Sequence, residues 1–230
     1  MECGKIRLLK NLMGVWDMEQ RLRDLRSKSN PKARIKIMEG HFATTHSHIN
    51  MYIDMSTVKC RHNNARETAK ELASRYVSNT SVDTIICMDG TEVIGAFMAE
   101  VLADTSVYSM NTGKNISVVT PEFNQMGQMI FRDNTQRMIA NQQVLLLVAS
   151  ATTGKTIDRA VECIEYYKGQ VCGIAAIFSA AKESHGMKIQ TIFTAEDVPE
   201  YHTYSHADCP YCRNHEKIEA IVNSYGYSKL

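Results

Sequence analysis

The chain has 230 residues with 26 basic and 25 acidic side chains, a net charge of +1. So even and interspersed a balance argues against a protein held on nucleic acid by charge, and the length suits one α/β domain with a full core. No apolar run approaches the roughly 18 residues of a membrane span and residues 1–7 lack a signal-peptide pattern, while seven cysteines, an odd number, favour reduced thiols; the expectation is a cytoplasmic protein.

In chain order, residues 6–25 carry Leu8, Leu9, Leu12, Met13 and Trp16 at helical spacing and predict an amphipathic helix packed on the domain or on a partner subunit. Ser27-Lys28-Ser29-Asn30-Pro31 breaks it. Asn63 or Asn64 can cap a helix that runs through Tyr76, with Ala65, Thr68, Ala69 and Leu72 on its apolar face. Residues 83–88 read as a buried strand, 92–102 as a helix and 116–119 as a short strand. A second apolar run, Val144-Leu145-Leu146-Leu147, leads into another helical pattern over residues 157–167, and two later runs, 171–179 and 189–194, have strand character. Strands alternating with helices imply an α/β fold with a mostly parallel sheet flanked by helices.

Ligands of such sheets sit beyond the carboxyl ends of the strands. Two loops fall there. Asp89-Gly90-Thr91 can approach a pyrophosphate or sugar through backbone N–H groups, with Gly90 free to take φ > 0; an ordinary turn with Thr91 as helix N-cap explains the same residues. Thr152-Thr153-Gly154-Lys155-Thr156, where the second apolar run gives way to hydroxyls around Gly-Lys, is a candidate phosphate loop feeding a helix N-terminus. Lys155 would neutralise the phosphate as a point charge or be a solvated first-turn lysine. Read as a Walker A loop, residues 149–156 would make Lys155 and Thr156 the phosphate and magnesium residues, but no later strand ends in an Asp that could hold the metal.

The apolar run followed by Thr152-Thr153-Gly154-Lys155-Thr156 resembles the ribose-phosphate signature of type I phosphoribosyltransferases. Gly40-His41-Phe42 with Asn50-Met51-Tyr52-Ile53-Asp54, the loop at Asp89, and the carboxy-terminal Cys209-Pro210-Tyr211-Cys212 with residues 218–223 extend the likeness to the orotate phosphoribosyltransferases, over roughly residues 36–223. The resemblance implies a small hood built from the terminal segments, binding of phosphoribosyl pyrophosphate or a nucleotide, Mg²⁺ in the active enzyme, and a homodimer. It assigns Thr152, Thr153, Gly154, Lys155 and Thr156 to the 5-phosphate and Asp89, Gly90 and Thr91 to the pyrophosphate. It divides the chain into an amino-terminal helical segment (1–35), a core (36–200) and a tail (201–230). Val148 and Ala149 stand where the family has two acidic residues that hold the ribose hydroxyls, and Val118-Val119-Thr120-Pro121-Glu122-Phe123-Asn124 stands where it has an Arg-Lys pair. Neither apolar side chain can accept those hydrogen bonds. The parent activity implied is phosphoribosyl transfer to a pyrimidine base such as orotate; a retired member that binds a nucleotide as a sensor is the alternative, and no catalytic acid or base is named.

The tail carries a second pattern. His206, Cys209, Cys212 and His215 offer the thiolates and imidazoles that Zn²⁺ prefers, although the family likeness accounts for the two cysteines without metal, and redox or plain structural thiols remain open. His41, His46 and His48 form a further cluster that could bind metal or a substrate carboxylate, or be a polar loop before a strand.

Overall fold

The computed structural model describes residues 18–45, 47–104, 109–151 and 154–230. In chain order a 3₁₀ turn at Met18–Arg21 precedes β1 (Arg23–Arg26), β2 (Arg34–Ala43) and β3 (His48–Asp54); then come α1 (Ser56–Cys60), α2 (His62–Ala73), β4 (Thr84–Cys87), α3 (Glu92–Ala103) and β5 (Ser117–Val119). A hairpin of β6 (Glu122–Phe123) and β7 (Met129–Ile130) leads through α4 (Asp133–Gln136) to β8 (Gln143–Ala151), α5 (Lys155–Tyr166), β9 (Gln170–Ser179), β10 (Glu183–Ser184) and β11 (Met187–Thr194). The carboxy-terminal part adds β12 (Thr203–Tyr204), α6 (Pro210–Arg213), β13 (Ala220–Asn223) and β14 (Gly226–Lys229).

The central sheet has the order β10-β11-β9-β8-β4-β5 and is parallel from β11 to β5, with β10 antiparallel at one edge. Its middle strands are buried on both faces, which is why they read as continuous apolar runs rather than as alternations. Side chains nevertheless divide by parity. Ile85, Cys87, Leu145, Leu147 and Ala149 pack on the side of α2 and α3, against Ala69, Leu72, Ile94 and Met98. Ile86, Met88, Val144, Leu146 and Val148 pack on the other, against Ile157, Ala160, Val161 and Ile164 of α5. This is the predicted α/β architecture.

A second sheet, ordered β12-β3-β2-β13-β14 with β1 on β2, draws on residues 23–54 and 203–229 and forms the hood. Met38, Phe42, Ile49, Tyr52, Ala220 and Val222 make its own small core. Two local expectations are corrected here. Residues 6–17 of the predicted amino-terminal helix lie outside the described residues, but its end is not helical: Arg23–Arg26 pairs antiparallel with Arg34–Ile37. Leu22 and Leu25 have helical spacing, yet a ladder on β2 satisfies more backbone than a short terminal turn could. Helix α2 starts one residue before Asn63, with Arg61 at the N-cap and no capping side chain.

At the amino ends of the strands, Lys114 Nζ donates to Asp83 Oδ1 at 2.7 Å while Gln143 N donates to Asp83 Oδ2 at 3.0 Å, so one carboxylate clips the start of β8 to the start of β4. The Lys114 hydrogen bond, outweighing burial, holds the Asp83 carboxyl below its usual range. On acidification the unfolded chain therefore takes up its proton first, near pH 4, and this contribution to stability is lost as pH falls through the lower folded value. Lys114→Met should destabilise the protein by about 1 kcal/mol at pH 7, and urea titrations should show the gap from the parent narrowing as pH falls below about 4.

Candidate functional site

The carboxyl edge of the central sheet is shaped by two turns and two helix starts. After β4 the chain passes through Asp89 (φ 58°) and Gly90 (φ 78°), two successive residues in the left-handed region. Aspartate tolerates that region better than most side chains and glycine adopts it freely, so successive N–H groups can face one concavity. Thr91 occupies the N-cap position of α3 but its hydroxyl caps nothing; it is fully buried and donates to the carbonyls of Met88 (2.9 Å) and Leu147 (3.3 Å). The threonine thus ties the turn after β4 to the neighbouring strand β8.

Strand β8 runs farther than the apolar run suggests. Ser150 pairs with Phe178 and Ala151 with Ser179 on β9, so residues 149–151 are extended and laddered. A Walker A loop would have to wrap a phosphate with that same segment, and the strand rules the Walker reading out. Thr152 and Thr153 of the predicted phosphate loop lie outside the described residues. Beyond them Gly154 is the N-cap of α5 with φ 78°, Thr156 is exposed and Ile157 buried. The first intrahelical bond is Asp158 N to Gly154 O at 2.9 Å, which leaves the preceding N–H groups at the mouth of a 12-residue helix open to an anion.

These parts enclose a cavity of about 190 Å³ lined by Asp89, Ser150, Ala151, Gly154, Thr156, Ile157 and Ser224. The structure therefore brings Asp89, Gly154 and Thr156 together; Lys155 is exposed on the first turn of α5 and is not among the lining residues. Ser224 comes from the β13–β14 turn of the hood, a contribution no motif announced. A wider cleft of about 300 Å³, lined by Asp83, Lys114 and Arg137 among others, opens at the amino edge of the sheet, away from both turns and both helix N-termini.

Sequence reasoning also missed Lys59. Only 5% exposed, it reaches from α1 to donate to the carbonyl of Asp89 at 2.9 Å and to that of Ser224, with its ammonium 5.8 Å from the centre of the Tyr225 ring. Burial pulls its pKa down, opposed mainly by the nearby Asp89. Burial likewise raises the Asp89 carboxyl, against the opposing pull of Lys59 and of the Ala149 N–H. A lone lysine between Val58 and Cys60 has no sequence signal of its own.

Val148 and Ala149, at the positions matched to the ribose-holding carboxylates, are 0% and 2% exposed and point into opposite faces of the sheet. Where the Arg-Lys pair would stand, β6 and β7 form a hairpin in which Arg132 and Glu122 pair in two hydrogen bonds of 2.9 and 2.6 Å, and Phe123 and Met126 are exposed. In the hood, the expected metal candidates separate. Cys209 and Cys212 converge on His41 and His48, whereas His206 and His215 are exposed and outside that cluster. His215 follows α6 in the left-handed region and is tied by its backbone to Cys212 O, and His206 only sets its ring 4.8 Å from that of His48. His46 lies outside the described residues.

A parallel sheet with a turn after β4, a phosphate-type helix start after β8 and a hood made from both ends of the chain is the fold of the type I phosphoribosyltransferases, and solved structures agree. The chain superposes on Leishmania donovani UMP synthase with a TM-score of 0.53 at 14% identity, over 78% of this chain and 36% of that one, so it spans about a third of that longer protein. It matches Mycobacterium tuberculosis orotate phosphoribosyltransferase in complex with Fe(III) dicitrate with a TM-score of 0.50 at 15% identity, over 71% of this chain and 92% of the other. In sequence the chain is similar to the orotate phosphoribosyltransferase of Desulforamulus reducens, 24% identical over 180 residues that cover 76% of this chain and 84% of the relative. No family model matches it. Among the described residues no helix is long and apolar enough to cross a membrane, and the six described cysteines are all free thiols.

Proposed function

We propose that the chain binds phosphoribosyl pyrophosphate or a nucleotide at the carboxyl edge of the central sheet, the 5-phosphate at the start of α5 and the pyrophosphate side at the Asp89-Gly90-Thr91 turn. The observation that carries the proposal is the shared cavity, in which the Gly154 N-cap and Thr156 face Asp89. By likeness to the orotate enzymes, the parent reaction is transfer of the 5-phosphoribosyl group to a pyrimidine base with release of pyrophosphate. Charge then accumulates on the leaving pyrophosphate, and the fixed amides of the turn after β4, braced by Lys59 through the Asp89 carbonyl, are the groups this chain offers it. Of the described residues lining the cavity only Asp89 has a carboxylate, and that carboxyl is shifted toward its neutral form. The chain therefore offers Mg²⁺ no cage of its own; the ion would be carried by the pyrophosphate oxygens of the ligand.

A second reading is a protein that keeps the phosphate anchor and has given up the transfer. Burial of Val148 and Ala149 favours it, since nothing at those positions can hold a ribose hydroxyl. Calorimetric titration with phosphoribosyl pyrophosphate, with and without Mg²⁺, and then with nucleoside monophosphates separates the two. Binding strengthened by Mg²⁺ and followed by turnover with orotate supports the transferase; nucleotide binding indifferent to Mg²⁺ supports the receptor. In either case Thr156→Val should weaken the phosphorylated ligand about tenfold or more, and unchanged affinity would remove the phosphate from the start of α5. Homodimerisation and a cytoplasmic setting belong to the same proposal, and sedimentation of the purified chain tests the first.

A further inference from the structure

Four side chains from three separated stretches meet in the hood. His41 is on β2, His48 on β3, Cys209 is the N-cap of the short helix α6 and Cys212 lies within it; one ligand atom from each lies within 4.8 Å of all the others. His41 Nε2 stands 3.0 Å from His48 Nδ1, 3.5 Å from Cys209 Sγ and 3.7 Å from Cys212 Sγ, and Cys212 Sγ is 3.2 Å from His48 Nδ1. The edges of a tetrahedron around Zn²⁺ with ordinary bond lengths are about 3.3 Å between nitrogens, about 3.6 Å from nitrogen to sulfur and about 3.8 Å between sulfurs. The four separations just given sit within about 0.4 Å of those edges.

The surroundings are those of a built site. His41, His48 and Cys209 are 2%, 7% and 0% exposed. His41 Nδ1 lies 3.0 Å from the carbonyl of Glu216, which fixes its proton on that nitrogen and turns the Nε2 lone pair toward the cluster, the second-sphere contact that metal-bound imidazoles usually have. The Tyr211 ring stacks on His41 at 5.2 Å and 20°, adding a wall against water. Two thiolates and two neutral imidazoles around a divalent ion make a neutral unit, which a buried position tolerates far better than separate charges. Thiolate with imidazole selects Zn²⁺ over Mg²⁺ or Ca²⁺.

We infer that His41, His48, Cys209 and Cys212 form a structural Zn²⁺ site that staples the carboxy-terminal segment to the β2–β3 hairpin. All four positions are filled by the protein, so the site is closed and has no place for a reacting water. Its consequence is positional: the segment it anchors continues into β13 and the turn bearing Ser224, which lines the cavity.

Elemental analysis of the full chain, made without a metal-affinity tag, should find one zinc per chain. After exchange with Co²⁺ it should show the visible bands of a tetrahedral ion together with thiolate-to-metal charge transfer. Cys209→Ser with Cys212→Ser should lower bound zinc by about tenfold or more and lower Tm. His48→Cys keeps four ligands, so it should retain the metal and strengthen the thiolate band, a gain that misfolding cannot imitate. Only traces of metal in the parent chain, iron in place of zinc, or metal retained by the double serine variant would overturn the site.

Discussion

Val148→Glu together with Ala149→Asp should unfold the protein rather than awaken it. Restoring the two carboxylates looks, from sequence alone, like the way to recover a ribose clamp. The structure places Val148 among Ile157, Val161 and Ile174 on one face of the sheet, and Ala149 among the side chains packed under α2 and α3 on the other. Both residues lie in the ladder with β9, and neither is open to the cavity. Burying an unpaired carboxylate at the valine costs about 3–5 kcal/mol, a large part of the 5–15 kcal/mol that stabilises an ordinary domain. Chemical denaturation should show Val148→Glu losing most of its stability, while Val148→Thr, which keeps the shape, loses about 1–2 kcal/mol. A folded double variant with new phosphoribosyl transfer would mean that the end of β8 opens toward ligand, contrary to its burial.

The second large effect is expected at Gly95. It lies in α3 against β4, and a Cβ there would fall inside contact distance of Cys87 Sγ and 3.3 Å from Val118 Cγ1. Cys87 is fully buried and its thiol is pushed up to about 12 by that burial, so it has no solvent to retreat into. In an exposed helix Gly→Ala would stabilise by about 1 kcal/mol; here overpacking should win and leave a net loss of about 1–3 kcal/mol. Cys87→Ala added to Gly95→Ala should recover much of that loss, giving a favourable coupling in a double-mutant cycle. Strict additivity would show that α3 does not rest on β4 through this pair. Because α3 begins at the turn carrying Asp89, ligand affinity should follow the same pattern as stability.

The central sheet was legible because burial on both faces writes itself as unbroken apolar runs: Thr84–Cys87 and the first part of Gln143–Ala151 are visible in sequence, as are α3 and α5. The end of β8 was not. Ser150 and Ala151 are small and polar or neutral, and they become strand only because Phe178 and Ser179 of β9 lie alongside. Residues 23–26 misled for a related reason, since a short strand on the edge of β2 takes its conformation from its partner. At the site, Asp89, Gly154 and Thr156 were named in advance, while Ser224 reaches the cavity from the hood and Lys59 comes from α1 to hold the carbonyls of Asp89 and Ser224, both through tertiary packing. The thiol pair was found, but its histidine partners were sought nearby in sequence. His206 and His215 are near in number; His41 and His48 are near in space, because β2 and β3 meet the carboxy-terminal segment only in the folded chain.

That meeting has a kinetic side. Glu219 and His41, 178 positions apart, exchange backbone and side-chain hydrogen bonds where β13 lies parallel to β2. A pairing of such high contact order closes late, and until it does, a ribosome-bound chain carries β2 with an open edge and a cavity lacking Ser224. The cavity should therefore be completed abruptly, only after β13 has left the ribosome, by the same event that hides the sticky edge.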